Sequence, residues 1–192
     1  MEITGWEQMI GQYKRDLSVV PYRDAWPMLF EQEANLLRSA LGEKALRIEH
    51  IGSTSIPGLA AKPIIDIMVA VASYAQSMGL IPVVEALGYQ FKPHDTIPER
   101  LFFSKEREPE IRTHHLNLTE RSSGFWKDQL AFRDYLRTHE RLAAEYVELK
   151  EQLAAEYART GELPREGKTA FVTYVLALAR KTPGEDAREQ ES

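Results

Sequence analysis

Residues 47–71 read RIEHIGSTSIPGLAAKPIIDIMVAV, and the last eight of them are apolar except for Asp66. So short and uniform an apolar run suits a central strand covered on both faces of a sheet, and it puts one carboxylate at the end of a buried strand. Residues 45–51 form a second strand candidate, and the turn after them holds Gly52, Ser53, Thr54 and Ser55. Backbone N–H groups with little side-chain bulk over them, flanked by three hydroxyls, can approach phosphate oxygens closely, and Asp66 is placed to hold a divalent cation against those oxygens. The same residues also suit a glycine-containing turn whose hydroxyls bond only the local backbone, with the aspartate paired to a lysine. The stretch by itself leaves both readings open. Pro57-Gly58 reads as a sharp turn that shapes it.

Around this unit the pattern is of helices and short strands. Residues 1–20 suggest a weakly amphipathic helical arm on Trp6, Ile10 and Tyr13, followed by an extended segment at 18–22. A stronger helix starts at Asp24 as N-cap, with Pro27 in its first turn, Phe30, Ala34, Leu37 and Leu41 on one face, and Gly42 at its end. Residues 73–87 read as one helix against the sheet, interrupted by Gly79 and Pro82 and closed by Gly88. Strands are predicted at 89–92, 101–104 and 113–118, with charged or proline-containing loops between them, giving a sheet of about five strands. After Ser123 come three helices: one on Trp126, Leu130, Tyr135 and Leu136, one on Leu142, Tyr146, Leu149, Leu153 and Tyr157, and one over 168–181. We expect one domain over 1–181 and a disordered polar tail over 182–192.

Composition narrows the function. At 192 residues the chain suits a single domain with a full core, and 43% hydrophobic with 28% charged residues is ordinary for a globular protein. No stretch approaches the roughly 20 apolar residues that cross a bilayer, and no secretory signal opens the chain, so a cytoplasmic location is expected. Without cysteine there is no disulfide, no thiolate nucleophile and no sulfur-held zinc. A formal net charge of −5 argues against a non-specific nucleic-acid binder but allows a small phosphorylated ligand held by local positive charge.

The segments YRDAWPMLFEQEANLL, IEHIGSTSIPGLAAKPIIDI, RTHHLNL and FWKDQLAFRDYLRTHERLAAEYVELKEQLA together resemble the GrpB family of bacterial proteins, over nearly all of the chain before the tail. That family belongs to the nucleotidyltransferase-fold superfamily and also occurs fused to dephospho-CoA kinases. The resemblance implies an α/β (α+β) fold with a nucleotidyltransferase-like mixed, mainly antiparallel sheet, an N-terminal helical arm and C-terminal helices. It also implies a mapping in which Gly52-Ser53 is the triphosphate-binding turn and Asp66 the first of two carboxylates spaced one residue apart. Met68 stands where the second would be. The third would come from the strand Arg112-Thr113-His114-His115-Leu116-Asn117, which offers imidazole and amide instead. Residues i and i+2 of a strand share a face, so Asp66 alone is left to bind a cation there, as one Mg²⁺ shared with the ligand's own phosphates.

These expectations define the candidates. Catalytic roles fall to Asp66 and His115, the metal to Asp66, and phosphate binding to Gly52, Ser53, Thr54, Ser55, Lys62 and Arg112, with Arg100 adding charge at the same mouth. Lys62 also reads as a surface lysine paired with a glutamate. Trp126, Phe132 and Tyr135 read as core rather than a base-stacking shelf, and the helix face with Glu145, Glu148, Glu151 and Glu156 as solvated. The leading function is binding of a nucleotide or other phosphorylated small molecule, extending to Mg²⁺-dependent nucleotidyl transfer with an incomplete carboxylate set. One alternative is a non-catalytic binding or regulatory module acting on a protein or cofactor partner. Another is a hydrolase using His50, Asp66 and His115 as an imidazole–carboxylate metal site.

Overall fold

The structure, a computed structural model of the chain, describes residues 9–13, 16–161 and 166–181, with the side chain of Glu166 outside that description. Six strands and six helices lie within it: β1 Gln12–Tyr13, α1 Ala25–Leu41, β2 Arg47–Ile51, β3 Ile65–Val71, α2 Tyr74–Gly79, α3 Ile81–Glu85, β4 Tyr89–Phe91, β5 Arg100–Glu108, β6 Ile111–Glu120, α4 Gly124–Thr138, α5 Glu140–Thr160 and α6 Glu166–Lys181. The strand order is β2-β3-β6-β5-β4, with β1 paired to the start of β6. Every pairing is antiparallel except that of β3 with β6. This is the mixed, mainly antiparallel sheet expected.

The apolar run of β3 is central, and alternation sends its residues to two different cores. Ile65, Ile67, Val69 and Val71 join Leu116, Leu118 and Phe103 beneath α1 and the short helices. Helix α1 contributes Trp26, Phe30, Ala34 and Leu37, all buried at the expected spacing. Full burial of each such large side chain stabilises by about 1.5–3 kcal/mol. On the opposite face Met68 and Ala70 pack with Ile51 and Trp126 of α4. A third cluster, with Leu136, Leu142, Tyr146 and Val175, ties α4, α5 and α6 together over Ile56 and Leu59. Trp126 is therefore core, as read from its spacing.

Several expectations are corrected. At Gln12–Tyr13 the chain is a strand pairing with Arg112 and Ile111, not a helix; Trp6 and the tail from residue 182 lie outside the described residues. Asp24 occupies the N-cap position of α1 but is itself helical (φ −61°, ψ −14°), and its side chain makes no capping bond. The helix expected over 73–87 is two, parted at Leu80, because Gly79 lacks helix propensity and Pro82 fits only a first turn. The charged stretch 105–112, read as a loop, continues β5 and β6 through register shifts after Lys105 and Glu106. Its charged side chains do not prevent strand pairing, because β-bulges re-aim them locally.

Candidate functional site

In β2–β3 pairing Ile51 faces Asp66 and His50 faces Ile67, and in β3–β6 pairing Asp66 faces His115 and Met68 faces Asn117. Cross-strand partners share a face, so Asp66 and His115 meet on one side of the sheet. His115 Nδ1 lies 2.9 Å from Asp66 Oδ1. A carboxylate only accepts, so Nδ1 carries a proton, while Nε2 is buried and without a hydrogen-bond partner among the described residues. The turn runs up against the same carboxylate. Gly52 has φ 69° and ψ −175°, and a Cβ there would fall 2.9 Å from both Cβ and Cγ of Asp66. Only glycine permits both that backbone and that approach.

The hydroxyls of the turn divide. Thr54 Oγ1 donates to the Ile64 carbonyl at 3.1 Å and, its proton spent, accepts from His50 Nε2 at 3.0 Å. Ser55 Oγ donates to the Gly52 carbonyl at 2.6 Å. Both hydroxyls thus bond locally, and both residues are buried. Ser53 alone is left facing a cation: its Oγ accepts from Lys150 Nζ at 3.3 Å. Lys150 also donates to the Ala60 carbonyl at 2.5 Å and lies 4.8 Å from the centre of the Tyr146 ring.

Two cavities flank Asp66. The larger, about 500 Å³, has Ser53, Asp66, His115, Lys62, Lys150 and Lys168 in its wall. Burial, then the neighbouring Lys168 charge, lowers the pKa of Lys62, and the same causes in the same order bring Lys150 from 10.5 to about 8. The smaller cavity, about 260 Å³, adjoins the first at Ser53, Asp66, Tyr146 and Lys168 and is walled by Arg100, Phe102, Asn117, Phe125 and Phe132 among others. Arg100 therefore belongs to the second cavity rather than to the mouth expected. Arg112 lines neither; it sits on β6 opposite Gln12 and Glu106.

The imidazole–carboxylate metal site does not assemble. His50 lies on the α1 face, stacked on Phe30 with ring centres 4.7 Å apart, and burial brings its pKa from 6.5 to about 3. His114 turns to that face too, and burial brings it to about 4. Among the described residues no group of three or more His, Asp and Glu side chains is arranged to hold an ion.

Four basic residues escaped sequence reasoning. Lys150 and Lys168 complete the larger cavity. Arg133 Nη1 donates to the His50 carbonyl at 2.9 Å and pairs with Glu49 at 2.6 Å, while Arg137 Nε and Nη2 donate to the Ser55 carbonyl at 3.1 and 2.8 Å. Helix α4 thereby grips both ends of the turn. A signal existed: Lys150 is four residues after Tyr146 and three before Leu153, inside the apolar stripe of α5, and Arg133 likewise falls between Leu130 and Leu136. A cation within a buried stripe points to a partner or a site.

Residues 16–177 match the family model described as GrpB protein. The UPF0157 protein YqkA of Bacillus subtilis (strain 168) is 37% identical over 134 residues, a match covering 70% of this chain and 38% of that protein, so the chain spans well under half of that relative. Among solved structures, the conserved protein GrpB from Enterococcus faecalis superposes with a TM-score of 0.76 at 36% identity, covering 85% of this chain and 98% of that one. The Cid1 poly(U) polymerase bound to MgATP gives a TM-score of 0.48 at 18% identity over 71% of this chain and 44% of that one, too distant to bear on activity.

Proposed function

The chain belongs to the GrpB family, and from the geometry of this member we propose that it binds the phosphate groups of a nucleotide or another phosphorylated small molecule in the larger cavity. The observation that carries this reading is the convergence of Lys62, Lys150 and Lys168 on one wall around Ser53, against the single carboxylate of Asp66. Among the described residues none of these lysines has an ion-pair partner. Lys168 is exposed, but Lys62 and Lys150 are partly buried with no carboxylate in ion-pair contact, a costly arrangement that an incoming polyanion offsets. At about 4 Å and a near-surface dielectric each such pair attracts by roughly 4 kcal/mol before desolvation, enough for three lysines to outweigh one aspartate.

The protein alone does not fit a resident magnesium ion. Mg²⁺ requires octahedral oxygen coordination, whereas one oxygen of Asp66 already accepts from His115 and the neighbouring place is filled by buried Met68. An ion carried in by the ligand's phosphates would find Asp66 as one further oxygen donor. Met68 is also the observation that favours the second reading, a binding or regulatory module without chemistry. Its side chain is fully buried against Ile51 and Trp126, so that place is built as core rather than as a vacated metal ligand.

Thermal shift with tripolyphosphate, ATP, GTP, CTP, UTP and coenzyme A precursors, with and without Mg²⁺, tests the proposal. A ligand at about 100 times its Kd adds about 2.7 kcal/mol, which for a chain of this size raises Tm by about 5–10 °C. No shift with any of them at millimolar concentration sinks the reading. Pyrophosphate release from a stabilising nucleotide would extend it to nucleotidyl transfer, and stabilisation without release would favour the module.

A further inference from the structure

The two cavities share Ser53, Asp66, Tyr146 and Lys168 but otherwise differ in chemistry. The larger is walled by lysines. The smaller has an apolar side, with Phe102, Phe125, Phe132, Val172 and Leu176, and a single guanidinium, that of Arg100, while Asp66, Asp128 and Lys168 bring further charges to its wall.

Arg100 differs from the other guanidinium groups near the site. Arg133 is neutralised by Glu49 and Asp134, at 2.6 and 2.7 Å. Arg100 has no carboxylate within 4.0 Å among the described residues. Its Nη1 donates to Asn117 Oδ1 at 2.9 Å and its Nη2 to the Asp95 carbonyl at 3.0 Å. Its Nε is buried and donates to nothing. Two phenyl rings flank it, with centres 5.0 Å (Phe102) and 5.2 Å (Phe125) from the guanidinium carbon. Neutral amide, carbonyl and ring faces orient this cation, and the carboxylate of Asp95, which acts on it electrostatically, is not in ion-pair contact. A half-buried arginine that lines a cavity and is held in place by neutral groups is arranged to receive an anion on its guanidinium.

The position of Arg100 separates that anion from the phosphates of the first ligand. Lys62 and Lys150 line only the larger cavity and Arg100 only the smaller, with Asp66 and Lys168 in the wall of both. A second negative group at Arg100 therefore does not compete for Lys62 or Lys150, and a body of modest size with a flat apolar part fits beside the phenyl rings.

We propose that the smaller cavity binds a second small molecule, an apolar or aromatic compound bearing a carboxylate or phosphate that pairs with Arg100, and that it is held together with the phosphorylated ligand, the two meeting at Asp66. This rests on the phosphate reading of the larger cavity. It makes the protein a two-ligand receptor for small molecules.

The test is the side-chain Nε–H resonance of Arg100 in ¹⁵N-labelled protein, titrated with phenyl phosphate and with benzoate, each with and without saturating tripolyphosphate. At least one probe shifts that resonance in the presence of tripolyphosphate, and Arg100→Gln weakens that probe about tenfold or more while tripolyphosphate affinity stays within about twofold. Response to phenyl phosphate alone identifies a phosphate-bearing ligand, response to benzoate alone a carboxylate, and response to both the shared chemistry. The proposal is overturned if neither probe moves the resonance, if Arg100→Gln binds as well as wild type, or if tripolyphosphate displaces the probes. Should Arg100→Gln not fold, the wild-type resonance decides. If tripolyphosphate does not bind, the reading of the larger cavity fails; probes that then still shift Arg100 keep the second site, and probes that do not remove it.

Discussion

Replacing Gly52 by alanine attacks the contact that brings the turn and the carboxylate together. At φ 69° and ψ −175° a residue with a side chain is strained by about 1–3 kcal/mol. The new Cβ would also lie 2.9 Å from Cβ and Cγ of Asp66 and nearer still to Oδ2, so the carboxylate must rotate away and give up its bond to His115. Asp66 is about a third exposed, with 31% of its side-chain surface accessible, which discounts that bond to about 1 kcal/mol. The two contributions sum to about 2–4 kcal/mol, or a fall in Tm of about 5–15 °C. Thermal and urea denaturation measure this directly. A second measurement isolates the cause: Asp66→Ala removes Oδ2 and Cγ from the clash but leaves Cβ, so Gly52→Ala made in that background should cost about 1 kcal/mol less. A Gly52→Ala protein within about 0.5 kcal/mol of wild type, or strict additivity of the two substitutions, would refute the reasoning.

Lys150→Met should weaken tripolyphosphate binding about tenfold or more without lowering Tm, since it removes a buried cation that lacks a counter-ion; calorimetric titration checks this, and unchanged affinity contradicts it. In the wild type, where burial brings Lys150 to about 8, affinity should fall as pH rises through 8 and the ammonium is lost, while the free protein gains stability between about 8 and 10.5, where the unfolded chain binds the extra proton. The same linkage acts at low pH through His50 and His114, brought from 6.5 to about 3 and about 4. The unfolded imidazoles protonate first, so stability is lost as pH falls below 6.5, by about 2–3 kcal/mol per histidine at pH 4.5. Urea denaturation at pH 7 and 4.5 should show a smaller loss for His50→Gln than for wild type, and equal losses would exclude this account.

The parts of this protein legible in its sequence are those set by local pattern. The apolar run of β3, the stripe of α1 and the three C-terminal helices were readable because burial imposes periods of 2 and 3.6 on the residues themselves. The split at Leu80 was half visible in Gly79 and Pro82. Most of the legible site is local, since Gly52, Ser53, Lys62 and Asp66 fall within fifteen residues of one another, and distant His115 was legible only through the family resemblance. Lys150 and Lys168 reach it from α5 and α6, and Arg133 and Arg137 reach the turn from α4; nothing in their own neighbourhoods names their partners. The fates of Thr54, Ser55 and His50 were illegible for a related reason. Which hydroxyl faces a cavity and which bonds backbone depends on the Ile64 and Gly52 carbonyls and on packing under Phe30, all tertiary facts.

The one parallel pairing in the sheet sets an order of events. Asp66 and His115 are 49 residues apart, and α2, α3, β4 and β5 must be threaded between β3 and β6 before they touch. Closing so long a loop costs entropy, so we expect the pair to form after the more local β5–β6 hairpin. The wall of the larger cavity is later still, because Lys168 belongs to the last described helix. On a ribosome, the nascent chain cannot complete that wall until the helix has emerged.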